Sequence, residues 1–301
     1  VINLIVALST FIAGYSHFQQ KKLTALSLLT LCIVSTLLGL KLPSLAQNAD
    51  HRLFRDPIIF RQNTPYQRLV ITKKDPFKSE DYTRRLKETG IKLFESRNKR
   101  FELIRFEESF SNDLRFFING GLQFSTVDEY RYHEVLAHPA KFLAHKVNQA
   151  LILGGGDGLV ARELLKYKDL EHIVLVDLDQ ELTNLFQKSD LAKLNNFALR
   201  DPKLQIINQD AIIFLRELGN QKFPLVIIDF PDPYSLHTAK LYTKQFYELV
   251  KSILTPNGIL ALQATSPLFN RKSFLCIGNT LEEAGFNILP MKVNMRTFED
   301  W

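Results

Sequence analysis

A chain of 301 residues, 46% of them hydrophobic, can bury one large core or two modest ones, which excludes a disordered polypeptide. Two cysteines exclude a disulfide framework, and no Cys/His cluster has metal-ligand spacing, so neither a metal nor a resident cofactor is expected. The formal net charge of +6 would suit nucleic acid or an anionic membrane surface, but the excess is concentrated between Arg68 and Arg105, and no nucleic-acid partner is expected.

The chain opens on Val1 with VINLIVALSTFIAGY, apolar but too short to cross a bilayer, as though a longer segment had been cut. LTALSLLTLCIVSTLLGL follows at Leu23 to Leu40, 18 residues without a charge, about 27 Å as a helix and just able to span. Together they predict an N-terminal transmembrane hairpin within residues 1–45, a multi-pass membrane protein, and a fragment of something longer. A secretory signal ending near Ala46 is a competing reading, because PSLAQ follows the apolar run. A buried core helix is a third. Lys21 and Lys22 lie in the short loop, whereas Lys41, Arg52, Arg55 and Arg61 lie on the other flank, which orients the main domain toward the cytoplasm.

Residues 46–130 read as a small β domain. PYQRLVITKK and LRFFINGGLQFS supply strands, and Asn119-Gly120 between apolar runs is a hairpin signal. A charged insertion, 73–113, interrupts them; it reads as a solvated segment, with lipid headgroups as a second possible contact. STVDEYRYHEVLAHPAKFLAH has helical spacing and leads into residues 131–301, where QALILGG, HIVLVD, LQIINQD, PLVIID and GILALQATS alternate with helical stretches such as LVARELLKY. The fold class is therefore α/β: a doubly wound parallel sheet of the class I methyltransferase-like Rossmann type, preceded by the small β domain and the transmembrane hairpin.

Ligands of such a sheet sit at the carboxyl ends of its strands. The first loop carries Gly154, Gly155, Gly156 and Gly158, with Leu159 next, so the dinucleotide spacing G-x-G-x-x-G fails and a sulfonium nucleoside fits better. Asp177 ends the second strand, placed to accept from both ribose hydroxyls, and Asp210-Ala211 after the third would face an adenine amino group. Asp157 lies inside the loop. The α-carboxylate of S-adenosylmethionine would be repelled there: two like charges about 4 Å apart cost on the order of 4 kcal/mol at an effective dielectric near 20. Decarboxylated S-adenosylmethionine has only a free ammonium, for which Asp157 is a counter-ion; alternatively Asp157 caps the next helix. Asp229 and Asp232 in VIIDFPDPYS add two more carboxylates, which implies a polycationic acceptor whose amine must lose a proton before it attacks.

The motifs TPYQ, DEYRYHEVLAHP, GGGDG, VDLD, QDA, DFPDP and LYTKQFY run in that order from Thr64 to Tyr247. The set resembles the polyamine aminopropyltransferases, of which spermidine synthase is the best-known member. DFPDP, LQATSPLF and NMRTFEDW, behind hydrophobic segments, look most like the bacterial subgroup in which the domain follows several transmembrane helices. The resemblance implies that Asp229 is the catalytic base and amine ligand, that Asp157 holds the aminopropyl nitrogen, and that Asp232 shapes the acceptor pocket. It places Asp177 on ribose, Asp210 on adenine, Gln67 at the sulfur end, and Tyr132, His133 and Gln123 on the amine side. Many relatives carry glutamine at the position of His133, where a packed structural histidine is the competing reading; Glu134 and Tyr242 are assigned to structure. Decarboxylated S-adenosylmethionine is then a co-substrate, a di- or polyamine the acceptor with putrescine as default, and a homodimer the implied assembly. Leu159, Asn119, YSLHTAKLY and the stretch from Met291 to Trp301 depart from the family pattern and leave the acceptor open. Two rival functions share these features: a methyltransferase on the same scaffold, and a non-catalytic membrane protein that binds polyamines.

Overall fold

The computed structural model describes residues 30–36, 53–54, 56–74, 113–144, 147–295 and 297, with the backbone of 299–300. Two compact units divide at Pro57. In the first, residues 30–36, inside the apolar run Leu23 to Leu40, are helical. No helix among the described residues is long and apolar enough to cross a membrane. The rest of the expected hairpin, and residues 75–112 of the charged insertion, lie outside the described residues.

The second unit, Ile58–Trp301, begins with an antiparallel sheet in the order β1 (Ile58–Asn63), β2 (Arg68–Lys73), β3 (Leu114–Ile118), β4 (Gly121–Ser125). Asn119 and Gly120 turn the β3–β4 hairpin with φ of 51° and 86°, the left-handed pair that a two-residue turn matched to strand twist demands. The sequence reading did not pick out β1; IIFRQN is half-exposed in alternation and carries little apolar signal.

Five parallel strands form the second sheet in the order β7 (Leu204–Asn208), β6 (His172–Asp177), β5 (Gln149–Gly154), β8 (Phe223–Asp229), β9 (Leu254–Leu262). β5, β6 and β8 are almost wholly buried, as expected of strands covered on both faces, whose sequences read as unbroken apolar runs. Among the described residues of this unit the α-helices are α1 (Glu129–Leu143), α2 (Leu159–Leu164), α3 (Gln180–Lys188), α4 (Ala211–Glu217), α5 (Leu236–Ala239), α6 (Lys244–Ile253) and α7 (Arg271–Glu283), and Asn294–Met295 pairs with Glu299–Asp300. α6 buries Phe246, Tyr247, Val250 and Ile253, the i, i+1, i+4, i+7 spacing of one helical face.

Leu69, Ile71, Phe116 and Phe124 of the small sheet share one apolar cluster with Ile152 of β5 and Phe186 of α3. The rings of Phe116 and Phe186 lie 5.2 Å apart, edge to face. Two details depart from the sequence reading. α2 stops at Leu164, before Tyr167. β9 starts at Leu254 and ends at Leu262; the Gln263 N–H still reaches the Ile228 carbonyl of β8 at 3.2 Å, Ala264 to Ser266 leave the sheet, and the Gln263 side-chain amide and the Thr265 hydroxyl turn to Asp232, at 2.5 and 2.9 Å.

Candidate active site

Strand order reverses between β5 and β8, so the loops that follow them run to opposite sides and leave a crevice. The register sets Gly154 abreast of Asp229, and the Gly155 N–H donates to the Asp229 carbonyl at 3.1 Å. Above this junction lies a cavity of about 890 Å³, ample for a nucleoside and a small second molecule.

At one end the loop meets β6. The Gly156 N–H donates to Asp177 Oδ2 at 3.0 Å and the Asp179 N–H to Asp177 Oδ1 at 2.8 Å. A Cβ on residue 156 would stand 2.7 Å from Asp177 Oδ2, too close for any side chain. Each Asp177 oxygen keeps a second lone pair for a hydroxyl of a ligand. Burial pushes the Asp177 carboxyl up to about 7, against the pull of its two backbone bonds. Asp179, which sequence reasoning passed over, joins the two sheets: it accepts from Gln67 Nε2 at 2.8 Å and Thr64 Oγ1 at 2.7 Å while capping α3. Gln67 lines the cavity with its amide group held there.

Asp210 and Ala211 line the same end. The Asp210 side chain caps α4 through the Ile212 N–H at 2.8 Å and pairs with Lys240 Nζ at 2.7 Å. Burial would raise its carboxyl, but Lys240 and the cap bonds outweigh burial and hold it below the usual range.

Carboxylates crowd the other end. Asp229 Oδ1 accepts from the Tyr132 hydroxyl at 2.6 Å, and burial beside that carboxylate drives the phenol well above its ordinary value. Asp157 precedes the cap residue Gly158; its Oδ1 accepts from the Leu159 N–H, the first of α2, at 2.9 Å, and the side chain also lines the cavity. Burial, then the Asp229 charge, raise its carboxyl to about 6, although His133 pulls the other way. A ring nitrogen of His133 and one carboxylate oxygen from each of Asp157 and Asp229 all lie within 4.8 Å of one another, a spacing that suits an alkylammonium or a metal cation alike. In a second such group, Glu134, His138 and Glu163, the Glu163 carboxylate is already paired with Arg162 and Lys166.

Asp232 faces the cavity with Gln123, both its oxygens taken by Gln263 and Thr265; Gln123 Nε2 donates to the Gly121 carbonyl at 3.1 Å. Thus Gln67, Gln123, Tyr132, His133, Asp157, Asp177, Asp210, Ala211, Asp229, Asp232 and Gly154 to Gly156 surround one space. Gly158 does not reach it: with φ of 78° it starts α2 and packs against Leu199 and Asn195. Glu134 and Tyr242 stand outside the lining; the buried Tyr242 hydroxyl donates to the Pro231 carbonyl at 3.1 Å and steadies the DFPDP turn.

The sequence reading missed Glu129 and Arg162. Glu129, which lines the cavity, meets His133 Nδ1 at 2.8 Å and takes a two-pronged bond from Arg162 at 2.8 and 2.9 Å. The four-residue spacing of Glu129 and His133 on one helix was a signal for the first contact; the Arg162 pairing joins helices 33 residues apart and leaves no local trace.

A polyamine aminopropyltransferase of Leptospira interrogans is 40% identical over 255 residues, which cover 84% of this chain and 44% of that protein. Polyamine aminopropyltransferase 1 of Streptomyces coelicolor is 38% identical over 254 residues, covering 84% of this chain and 41% of that one. The chain spans less than half the length of either relative. A crystal structure of spermidine synthase from Thermotoga maritima shares the fold with a TM-score of 0.60 at 23% identity, over 80% of this chain and 68% of that chain. Residues 129–301 match the spermine/spermidine synthase domain, and the chain belongs to that family.

Proposed function

We propose that this chain transfers an aminopropyl group from decarboxylated S-adenosylmethionine to a di- or polyamine such as putrescine, giving methylthioadenosine and the lengthened amine. One observation carries the reading: Asp157, Asp229 and Tyr132 converge at one end of a cavity whose other end offers Asp177 and Asp210 to a nucleoside. The donor's adenosine lies toward β6 and β7, and its aminopropyl ammonium meets Asp157. The acceptor ammonium passes its proton to the Asp229 carboxylate, held by Tyr132. The freed lone pair attacks the carbon next to sulfur, the carbon–sulfur bond breaks, and its electron pair stays on sulfur. Alignment of nitrogen, carbon and sulfur supplies most of the acceleration.

A methyltransferase reading is disfavoured because a donor with an α-carboxylate would bring a second negative charge beside Asp157. The chain is further proposed to belong to the membrane-anchored bacterial subgroup, with this domain on the cytoplasmic side, on the strength of its apolar segments and the flanking Lys and Arg residues, and to work as a homodimer, which rests on the family resemblance alone. The deciding experiment incubates the protein with decarboxylated S-adenosylmethionine and a panel of amines and follows methylthioadenosine. Turnover with putrescine or a longer polyamine is expected, and Asp229→Asn should abolish it while methylthioadenosine still binds. Full turnover in that variant would remove Asp229 from the mechanism.

A further inference from the structure

His133 is 2% exposed and carboxylates face it on several sides. Glu129, one turn back on α1, bonds its Nδ1 and is itself clamped by Arg162 of α2. Asp157 from the loop and Asp229 from β8 lie on the cavity side. Tyr132 stands edge-on at 4.9 Å between ring centroids, its hydroxyl committed to Asp229. With Nδ1 engaged, Nε2 is the nitrogen left for the cavity. Burial by itself would strip the imidazole of its proton, yet Glu129, Asp157 and Asp229 together overcome burial and raise it above the ordinary histidine value. A lone structural histidine needs one partner; this one has a fixed partner behind it and two charges ahead.

We infer that His133 occupies the cation slot between Asp157 and Asp229 as an imidazolium while the site is empty, yields that proton when an alkylammonium arrives, and receives a proton again when the bound amine becomes the nucleophile. The inference rests on the aminopropyl-transfer reading. An ammonium seated among groups that lie within 4.8 Å of one another stands beside the imidazolium, and this like charge disfavours the protonated ring, so arrival of the ammonium expels the His133 proton to solvent. The neutral ring then offers Nε2 as a lone pair beside Asp229. As the carbon–nitrogen bond forms, the acceptor's proton goes to Asp229 and on to Nε2, the carbon–sulfur electron pair leaves with methylthioadenosine, and the product departs as a dialkylammonium. The enzyme is returned to its resting charge, and the one proton released per turnover is the one expelled at the start. Glu129, backed by Arg162, holds the ring in the Nδ1–H form in which Nε2 can do this. His133 acts through Asp229, as a positioning and proton-holding residue.

The test uses the full chain labelled with ¹⁵N at histidine, His133→Gln serving to assign the ring signals. In the empty protein the His133 signals should be those of an imidazolium at pH 6.5. Saturation with putrescine and methylthioadenosine, a pair that cannot react, should convert them to the neutral Nδ1–H form and lower the apparent pKa by at least one unit. Calorimetry of putrescine binding in two buffers of different ionisation heat should register proton release that His133→Gln loses. The same variant should keep its melting temperature within a few degrees, lower kcat roughly tenfold, less than the ~10²-fold or greater loss of a direct base, and flatten the acid limb of kcat/KM. An unchanged His133 charge in a complex that binds putrescine, or a neutral ring in the empty protein at pH 6, overturns this inference and leaves the transferase reading standing. Failure of putrescine and of every other amine to bind overturns both.

Discussion

Asp157 accepts from the first N–H of α2, faces a cavity and sits beside another carboxylate, and these tasks conflict in the empty protein. Its folded-state value of about 6 lies above that of the unfolded chain, so the protonated form is the one folding favours. Its contribution to stability is full below about pH 4 and is lost as pH rises through 6, leaving a charged, half-buried group that costs on the order of 1 kcal/mol at pH 8 once solvent access is allowed for. Asp177, at about 7, behaves in the same way. Asp157→Asn should therefore melt a few degrees higher than the native protein at pH 8 and show no such gain at pH 4.5. Titration with both nucleosides should find that the variant has lost the native protein's preference, at least tenfold, for the decarboxylated one. A native protein that binds S-adenosylmethionine just as well would contradict the role given to Asp157.

At the scale of elements, the glycine loop works because β5 and β6 end side by side and the backbone at residue 156 can touch the Asp177 carboxylate. Gly156→Ala would drive a methyl to 2.7 Å from Asp177 Oδ2 and 3.2 Å from Leu182. Relief by pushing Asp177 aside should weaken methylthioadenosine at least tenfold by calorimetry and cost about 1–3 kcal/mol of stability by urea unfolding. This part of the molecule was legible in the sequence. Buried parallel strands announce themselves as apolar runs, and their tips carry Asp177, Asp210 and Asp229 in order. What escaped notice depends on contacts between distant segments: β1, stabilised by pairing with β2, and the end of β9, where Thr265 abandons the ladder for Asp232. Arg162 reads as an ordinary surface charge until α1 packs on α2. Gly158 was counted with the loop because sequence spacing cannot tell the face a glycine turns to the ligand from the one it turns to Leu199.

Over the whole molecule, the two sheets have no separate interiors. Phe186 of α3 is fully buried against Phe116 and Phe124 of the small sheet, and Asp179 ties Thr64 and Gln67 to the end of β6. Phe186→Ala should cost about 3–5 kcal/mol, and ellipticity and methylthioadenosine affinity should be lost at one common denaturant midpoint instead of two. The undivided hollow between the sheets also has a stereochemical corollary. Room for nucleoside and amine together permits a single displacement, so a donor made chiral with deuterium at its migrating methylene should deliver that centre with opposite handedness. A detour through an alkylated aspartate would flip it twice and return the original hand.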